Sequence, residues 1–497
     1  MTRYSILWLG LFLLLFALML QAQVNSVLSV KDDKIISPGE VKKHVSYLAS
    51  DELRGRGIGT VGIRKAAEYI AEQFRLAGLN DPSGLKNYLQ PVGLENVSPA
   101  VSGVITMDSM TFKIESDFVL LSGKSMDMES DLIFAGHGLE DDYNGLDVKG
   151  RFVMVLAGDG INKGTSRYLK LWPVKQQLAR EHGAKGVIEL VKTSGPWYMF
   201  TSYHSGSGIQ LKHTKNTDFF YAWVNDYDLR LAGWAKTGPK HTVSVKVTGV
   251  SRVTIPAWNV IGILEGSDPV LKNEYVTATA HYDHLGTGRP VNGDSIYNGA
   301  RDNAIGVASI MMAAKYLKAA GTKRSVIFIA FTGEEEGMLG SEWYVSHPVV
   351  DLKNTIFNLN TDGAGYDDKS KITLIDQAVT TFDNSIERAA ALAGLKVGGD
   401  PAPEQQFYRR SDNISFAMAG VPAVDICPGV TGLTDEIMKY YHQPQDEVGS
   451  LDFDYLADFV RAYSFALEEL CNMPVRPFWK KGNDYEKTGL QLYGSRP

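Results

Sequence analysis

The second half of the chain alternates strand-like and helical patterns of apolar residues. The segments NVIGILEG, EYVTATAHY and KRSVIFIAFTG are strand-like, and AIGVASIMMAAKYLKAAG carries the apolar stripe of a helix. The third of these strands is continuously apolar, which is typical of a strand buried on both faces of a parallel sheet. This alternation, from about residue 255 to 474, predicts an α/β sandwich.

Two earlier regions have different patterns. Residues 38–80 place apolar residues at helical spacing, in VKKHVSYLA and again in IRKAAEYIAEQFRLAG. From about 105 to 250, short β-rich segments alternate with Gly, Asp and Lys turns around one helical stretch, VKQQLAREHGA. This region has neither metal-ligand spacing nor a nucleophile arrangement, so we interpret it as an inserted module rather than a chemical centre.

The first residues have the pattern of an export signal. Arg3 supplies a short basic start, Ile6 to Leu20 form an apolar run of 15 residues, and Ala22 is a small residue at a cleavage point. The run is shorter than the roughly 20 residues of a bilayer-spanning helix, and an uncleaved anchor is the alternative. We therefore expect an exported, soluble protein, periplasmic or extracellular, without a stable membrane anchor.

Composition and charge narrow the range of functions. The 497 residues suggest about three structural units, and 44% hydrophobic with 22% charged residues is typical of a globular protein. Fifty basic against 57 acidic residues give a formal net charge of -7, which argues against a nucleic-acid partner. Cys427 and Cys471 are the only cysteines, so a metal would need His, Asp and Glu ligands.

Ligand-type residues occur where successive predicted strands end, which is where α/β sheets bind their ligands. Three strands run into His281-Tyr282-Asp283-His284, Glu334-Glu335-Glu336 and Thr361-Asp362-Gly363. Two further groups, GARDN at 299–303 and YYHQP at 440–444, lie at the start of the long helix and on a loop before the last helix. A single acidic strand end is usually a solvated turn, but this repetition predicts a metal centre.

These residue types fit a pair of divalent cations. Zinc accepts imidazole and carboxylate ligands, and a catalytic site leaves a position open for water. Two zincs roughly 3.5–4 Å apart need a bridging carboxylate, and a free carboxylate beside them can act as general base. The adjacent pair Glu334-Glu335 offers one carboxylate to a metal and one to the substrate. Asp283 lies two residues from His281, where it could orient the imidazole from behind.

The same segments form five motifs in order along the chain: HYDH (281–284), GARDNAIG (299–306), GEEEGMLGS (333–341), NTDG (360–363) and YHQPQD (441–446). Together they resemble the co-catalytic dizinc exopeptidases of the bacterial leucyl aminopeptidase and glutamate carboxypeptidase type, over about residues 255–470. The segments DYNGLDVKGRFVMVLAGD and EHGAKGVIELV are similar to the protease-associated domain that is commonly inserted in this family.

The resemblance implies a three-layer αβα sandwich with a mixed, mostly parallel central sheet, interrupted by a β-rich protease-associated domain. It divides the chain into a signal peptide, an N-terminal helical part of the peptidase domain, the insertion, the catalytic zinc peptidase domain and a C-terminal tail; the corresponding ranges are 1–22, 23–104, 105–252, 253–475 and 476–497.

The resemblance also implies roles for individual residues. His281 and Asp362 would hold one zinc, Glu335 and His442 the other, and Asp302 would bridge the two. The second site is open to zinc or another divalent metal. Glu334 would be the general base and acid, and Tyr408, three positions before Ser411-Asp412, would steady the tetrahedral intermediate. His284 is interpreted as a supporting residue rather than a ligand.

Three positions depart from the pattern of the family. Arg301 stands where relatives often carry Asp or Asn, Ile305 replaces a common Ser, and Asn413 replaces a common His. None of them removes a ligand, so they bear on substrate preference and metal affinity rather than on catalysis. Arg301 either points to solvent or attracts an acidic group of the substrate.

The function implied is that of an exported zinc aminopeptidase acting on peptides or dipeptides through a zinc-bound water. Carboxypeptidase or dipeptidase activity is the first alternative, because the metal ligands do not set which terminus is cleaved. An inactive peptide-binding ectodomain is the second, and the presence of every ligand argues against it. The oligomeric state stays open.

Overall fold

The computed structural model describes residues 35–161, 165–192, 196–197, 208–212, 218–238, 240–375, 377 and 379–496. The predicted signal peptide, residues 1–22, lies outside these ranges. Within them, no helix combines the length and the apolar character that a membrane crossing requires.

Eleven α-helices are described, and side chains cap the first turns of some of them. Ser37 accepts a hydrogen bond from the backbone N–H of Glu40, with Pro38 in the first helical position, and Thr60 caps the second helix in the same way. The α-helices are α1 (Pro38–Leu48), α2 (Val61–Leu76), α3 (Thr165–Glu181), α4 (Arg230–Ala235), α5 (Ile305–Ala320), α6 (Leu339–Ser346), α7 (Asp383–Leu392), α8 (Asn413–Met418), α9 (Asp435–Met438), α10 (Phe453–Asn472) and α11 (Glu486–Tyr493).

The described strands are β1 (Leu89–Pro91), β2 (Leu94–Ser98), β3 (Ser102–Met107), β4 (Met110–Lys113), β5 (Phe118–Ser122), β6 (Met126–Phe134), β7 (Phe152–Leu156), β8 (Gly186–Val191), β9 (Gly208–Leu211), β10 (Phe220–Asn225), β11 (Lys240–Thr248), β12 (Ser251–Ile255), β13 (Trp258–Leu264), β14 (Tyr275–His281), β15 (Gly286–Val291), β16 (Asp294–Tyr297), β17 (Ser325–Phe331), β18 (Thr355–Asn360), β19 (Lys371–Ile375), β20 (Lys396–Gly399) and β21 (Ala423–Pro428).

The chain divides into two compact units. The first contains the residues up to Val92 and those from Pro256 onward, and the second runs from Gly93 to Ile255. Residues 93–104, which the sequence analysis placed with the N-terminal helices, therefore lie in the second unit. The first and last strands of this unit, β2 and β12, pair with each other, with Leu94 opposite Ile255 and Ser98 opposite Ser251.

The first unit is built on an eight-stranded sheet in the order β1-β13-β17-β14-β18-β21-β19-β20. Four of its seven neighbouring pairs are parallel, namely β17 with β14, β14 with β18, β18 with β21 and β19 with β20. The other three pairs are antiparallel. The prediction of a mixed, mostly parallel sheet is confirmed.

Helices cover both faces of this sheet because its central strands are apolar on both faces. In β17, Val326, Phe328 and Ala330 face one core, and the alternating residues face the other. The first core lies under α1, α2, α5, α7 and α10, and the second lies under α6 and α8. The three-layer αβα sandwich is therefore confirmed.

The second unit is β-rich, as the pattern of short strands predicted. It contains an eight-stranded sheet in the order β4-β3-β11-β6-β7-β8-β10-β5 and a three-stranded sheet, β12-β2-β9. Among the described residues of this unit, one ion pair is fully buried, and it joins Lys175 Nζ to Glu189 Oε1 at 2.6 Å. Tyr221 donates to the second carboxylate oxygen of Glu189. Both carboxylate oxygens thus have a partner, which is typical of a structural role. Its identity as a protease-associated domain stays a prediction.

Candidate metal centre

Three adjacent strands bring the predicted ligands to one edge of the sheet. β14 ends on His281, β17 ends at Phe331 just before the Glu334-Glu335 turn, and β18 ends just before Asp362. Because β14 is parallel to both neighbours, with His281 opposite Phe331, their carboxyl ends meet at the same level. Asp302, ahead of α5, and His442, after α9, reach the same place.

The first group of ligand-type atoms joins His281, Asp302 and Asp362. His281 Nε2 lies 3.0 Å from Asp362 Oδ1 and 3.2 Å from Asp302 Oδ1. The other ring nitrogen, Nδ1, lies 3.2 Å from the carbonyl oxygen of Asp283, which fixes the orientation of the ring. The three ligand atoms lie within 4.8 Å of one another, so they can hold a single ion.

The second group joins Asp302 and Glu335 to two histidines. His442 Nε2 lies 3.3 Å from Asp302 Oδ2 and 3.2 Å from Glu335 Oε2. His284 Nδ1 lies 2.5 Å from Glu335 Oε1, and these atoms with Asp302 also fall within 4.8 Å. The sequence analysis gave this position to His442 and treated His284 as a supporting residue, whereas the structure brings both imidazoles to Glu335.

Asp302 stands between the two groups, as a bridging carboxylate must. Its Oδ1 faces His281 and its Oδ2 faces His442, and its side chain is only 9% exposed. Imidazole nitrogens and carboxylate oxygens are ligands that zinc prefers, and a carboxylate shared between two such groups suits a two-metal site. The residues present therefore fit two zinc ions.

Glu334 lies beside the groups without belonging to either of them. Its Oε2 is 4.0 Å from His281 Nε2, and its side chain is 11% exposed. The turn that carries it is held by Asp283, whose two carboxylate oxygens accept the backbone N–H groups of Glu334 and Glu335 at 3.2 and 3.3 Å. Asp283 thus supports both the His281 ring, through its carbonyl, and the Glu334-Glu335 turn, through its side chain.

Arg56 is a supporting residue that the sequence analysis missed. Its guanidinium is buried and donates to the carbonyl oxygens of Tyr282, Asn298 and Gly299 at 2.7, 2.6 and 3.0 Å. It therefore ties the strand end of His281 to the loop that leads to Asp302. In the sequence, Arg56 ends the charged segment SDELRGR (50–56), and this local pattern does not indicate that its side chain is buried.

The electrostatics of the cluster follow from many carboxylates in a buried place. Burial opposes the protonation of His281 and His442, but the neighbouring carboxylates outweigh it: they raise the pKa of His281 well above 6.5 and the pKa of His442 to about 10. Burial raises the pKa of Glu334 well above 4.5 and the pKa of Asp283 to about 6. A site that pulls protons onto its bases in this way is suited to cations.

Residues of the cluster line a cavity of about 340 Å³. Outside the cluster, the wall of the cavity is mainly apolar and includes two consecutive arginines. The apolar residues include Met338, Ile375, Phe407, Val430, Leu433 and Ile437, and the polar ones outside the cluster are Arg409, Arg410, Ser411, Asp425 and Tyr441. These side chains come from separate segments of the chain, so the sequence analysis did not assign them to one site.

Neither alternative considered for Arg301 is what the structure has. Its side chain is 3% exposed and forms an ion pair with Asp446 at 3.7 Å. The guanidinium also donates to Ser450 and lies 3.7 Å from the ring centroid of Tyr440. Arg301 is thus a buried anchor for the loop that follows His442, so it neither points to solvent nor meets the substrate.

Tyr408 is the residue to which the sequence analysis gave the oxyanion role. Its side chain is buried, its hydroxyl donates to the carbonyl oxygen of Ala423 at 2.9 Å, and it is absent from the described cavity wall. The oxyanion role of Tyr408 stays a prediction. Asn413 is buried behind it and donates to the carbonyl oxygen of Tyr408. Cys427 lines the cavity, and both it and Cys471 are free and buried, so they do not form a disulfide.

Residues 259–466 match the family model described as Peptidase family M28. This segment belongs to that family. The chain is 25% identical over 409 residues to Aminopeptidase YwaD of Bacillus subtilis (strain 168), covering 80% of this chain and 77% of the relative. It is 23% identical over 427 residues to Probable lipoprotein aminopeptidase LpqL of Mycobacterium tuberculosis (strain ATCC 25618 / H37Rv), covering 80% and 77%.

A solved structure, Aminopeptidase from Aneurinibacillus sp. strain AM-1, aligns with this chain at a TM-score of 0.51 and 21% identity, covering 89% of this chain and 96% of that one. The predicted resemblance to zinc exopeptidases and the predicted fold are confirmed by these matches. The chain is a metallopeptidase whose residues 259–466 match the M28 family model, and its donor set fits the zinc that was predicted from the sequence.

Proposed function

We propose that this chain is an exported zinc aminopeptidase that removes N-terminal residues from peptides. The observation that carries the proposal is the position of Asp302 between two His–carboxylate groups on the wall of a cavity, with Glu334 beside them. His281, Asp302 and Asp362 would hold one zinc, and Asp302, Glu335 and His442 the other. Bound zinc would supply a Lewis acid for the scissile carbonyl group and lower the pKa of water.

Glu334 is the residue that would move the proton. Burial raises the pKa of Glu334, so this carboxylate is a stronger base than an ordinary glutamate and is suited to accept a proton from the attacking water and pass it on. The proton would go to a carboxylate oxygen of Glu334 and from there to the nitrogen of the leaving amine. Asp283 fixes the turn that carries Glu334, so the acceptor oxygen is held in place before the substrate arrives.

Two observations support cleavage at the amino terminus. Relatives that align with 80% of this chain are named aminopeptidases. Asp425 lines the cavity and is not one of the proposed metal ligands, so its carboxyl group suits a positively charged α-amino group.

The test is a comparison of substrates with and without a chelator. We expect the zinc-loaded enzyme to hydrolyse leucine p-nitroanilide and to leave an N-acylated peptide with a free carboxyl terminus intact. A metal chelator should abolish the activity, and added zinc should restore it. Hydrolysis of the acylated peptide alone would exclude the proposed aminopeptidase activity and point to a carboxypeptidase.

Export is the second part of the proposal, and its support is the basic start and the apolar run at residues 6–20. N-terminal sequencing of the mature protein checks it. Cleavage close to Ala22 is expected, and a mature chain that retains Met1 would contradict it.

A further inference from the structure

Two consecutive arginines interrupt the apolar wall of the cavity, and their surroundings differ. Arg409 Nη2 lies 3.4 Å from Asp484 Oδ2, and its guanidinium lies 5.8 Å from the ring centroid of Tyr485. A carboxylate therefore already compensates the charge of Arg409. This pairing turns Arg409 toward the C-terminal segment of the unit rather than toward the metal ligands.

Arg410 has only uncharged neighbours among the described residues. Its Nη2 donates to the hydroxyl of Tyr441 at 3.2 Å, and its guanidinium lies 5.5 Å from the ring centroid of Phe407. No ion pair within 4 Å involves it in the part of the chain that the structure describes. A guanidinium has five N–H donors and no acceptor, so most of its donors are available to a molecule in the cavity.

Tyr441 fixes Arg410 relative to the metal ligands. The ring of Tyr441 stacks on the ring of His442, with centroids 4.0 Å apart and planes at 29°. His442 Nε2 in turn contacts Asp302 and Glu335. The guanidinium of Arg410 is thus held one tyrosine side chain away from the cluster, on the wall of the same cavity.

The cavity wall consequently carries charges of both signs at different degrees of burial. Asp302 and Asp425 are buried acidic residues on the wall, whereas the uncompensated Arg410 is exposed. A ligand with an ammonium group at one end and a carboxylate several atoms away matches this arrangement of charges. Arginine is also the side chain best suited to bind a carboxylate, because its planar fork can donate two parallel hydrogen bonds.

We infer that Arg410 is a specificity-determining residue that binds a carboxylate of the substrate. This inference rests on the proposed aminopeptidase function and names its preferred substrate class: peptides that carry a carboxylate within a residue of the scissile bond. The carboxylate is either the free carboxyl terminus of a short peptide or an acidic side chain at the cleaved residue. Both have the same chemistry, and paired substrates distinguish them.

The experiment measures kcat/KM of the zinc-loaded full chain on two substrate pairs. The first pair is Leu-Gly and Leu-Gly-amide, which differ only in the terminal carboxylate. The second pair is the p-nitroanilides of glutamate and glutamine, which differ only in the side-chain carboxylate. We expect the wild type to favour the charged member of at least one pair by about 10–100-fold, as charge-assisted hydrogen bonds allow.

Arg410→Ala should abolish this preference, mainly by raising KM for the charged member of the pair. Arg410→Lys should restore part of the preference, because lysine supplies the charge without the planar fork. Arg409→Ala is the matched control. Since Asp484 already pairs with Arg409, we expect this variant to keep the preference of the wild type.

Two results would overturn the inference. One is a wild type that does not discriminate within either pair, and the other is an Arg410→Ala variant that loses activity equally on charged and neutral substrates, which would show a role in positioning Tyr441 alone. Failure of the proposed function looks different, because then no neutral substrate is hydrolysed. In that event, calorimetric titration of Leu-Gly and Leu-Gly-amide into the zinc-loaded wild type and Arg410→Ala decides the same question without turnover.

Discussion

Replacing Glu334 with glutamine separates the two tasks that adjacent carboxylates are assigned in this site. Glutamine keeps the shape of the side chain but cannot accept the proton of the attacking water. Glu334 belongs to neither group of ligand-type atoms, whereas Glu335 contacts both His284 and His442. We therefore expect Glu334→Gln to bind two zinc ions per chain and to lose turnover.

The expected loss can be bounded from the structure. A positioned general base contributes about 10²–10⁴-fold to a rate, which corresponds to roughly 3–5 kcal/mol at about 1.4 kcal/mol per factor of ten. The side chain of Glu334 is 11% exposed, so bulk water replaces the lost base poorly. Glu335 is already engaged by two imidazoles. We accordingly expect kcat on leucine p-nitroanilide to fall by about 10³-fold or more, in the upper half of that range.

Glu336 provides the control, because it lies on the same turn and is exposed. Glu336→Gln should keep kcat within about twofold of the wild type, in line with the small effects of exposed substitutions. The assay combines kcat, zinc content by atomic absorption and circular dichroism to check folding. A Glu334→Gln variant that binds two zincs and retains more than a tenth of kcat would refute the general-base role. Loss of one zinc would instead show that Glu334 is a ligand.

Two further predictions concern the metal centre, and a third concerns the buried His44. Asp302→Ala should lose zinc from both positions, because each of its oxygens faces a different group; two zincs retained in metal analysis would exclude the bridge. His442→Ala should lose one zinc while His284→Ala keeps two with weaker affinity, and the reverse in a zinc titration would make His284 the ligand. Burial, with Lys315 nearby, lowers the pKa of His44 to about 3. Below about pH 6.5, His44 is protonated in the unfolded chain but not in the folded chain. The free energy of unfolding should therefore fall by about 1.4 kcal/mol per pH unit as the pH decreases from 6.5 toward 3. Denaturation of the wild type and of His44→Gln over this pH range measures the effect, and a variant that keeps the same slope would contradict the prediction.

The strand ends show how far sequence reasoning reaches. His281, Glu334, Glu335 and Asp362 could be placed together because parallel strands end at one edge of a sheet, and this rule needs only local patterns. Asp302 was placed by its motif. For these residues the covalent position along a strand or helix start decides the spatial position, so the sequence was sufficient to bring them into one site.

The residues whose surroundings the sequence analysis did not predict contact partners far along the chain. Arg301 is buried because Asp446 and Ser450 receive its guanidinium, and these partners lie on the loop after the last metal-binding histidine. The hydroxyl of Tyr408 donates a hydrogen bond to the carbonyl oxygen of Ala423, which lies on a buried strand. The start of the inserted unit moved from 105 to Gly93 because β2 pairs with β12. No local pattern encodes such pairings, so only the three-dimensional structure reveals them.

The buried acids of the site also explain why metal and fold support each other. Seven acidic residues lie in or beside the cluster. They are Asp283, Asp302, Glu334, Glu335, Asp362, Asp412 and Asp425. These carboxylates outweigh burial and raise the pKa of His281 and His442, because a protonated imidazole offsets part of their charge. A metal that takes these nitrogens as ligands must displace the protons, so zinc competes with acid for the same atoms. Arg56 stays charged behind the cluster in either case, since it is bound to backbone carbonyls and not to a ligand. The permanent cation therefore holds the two metal-binding loops in place, and the exchangeable charge, protons or zinc, sits where the chemistry occurs.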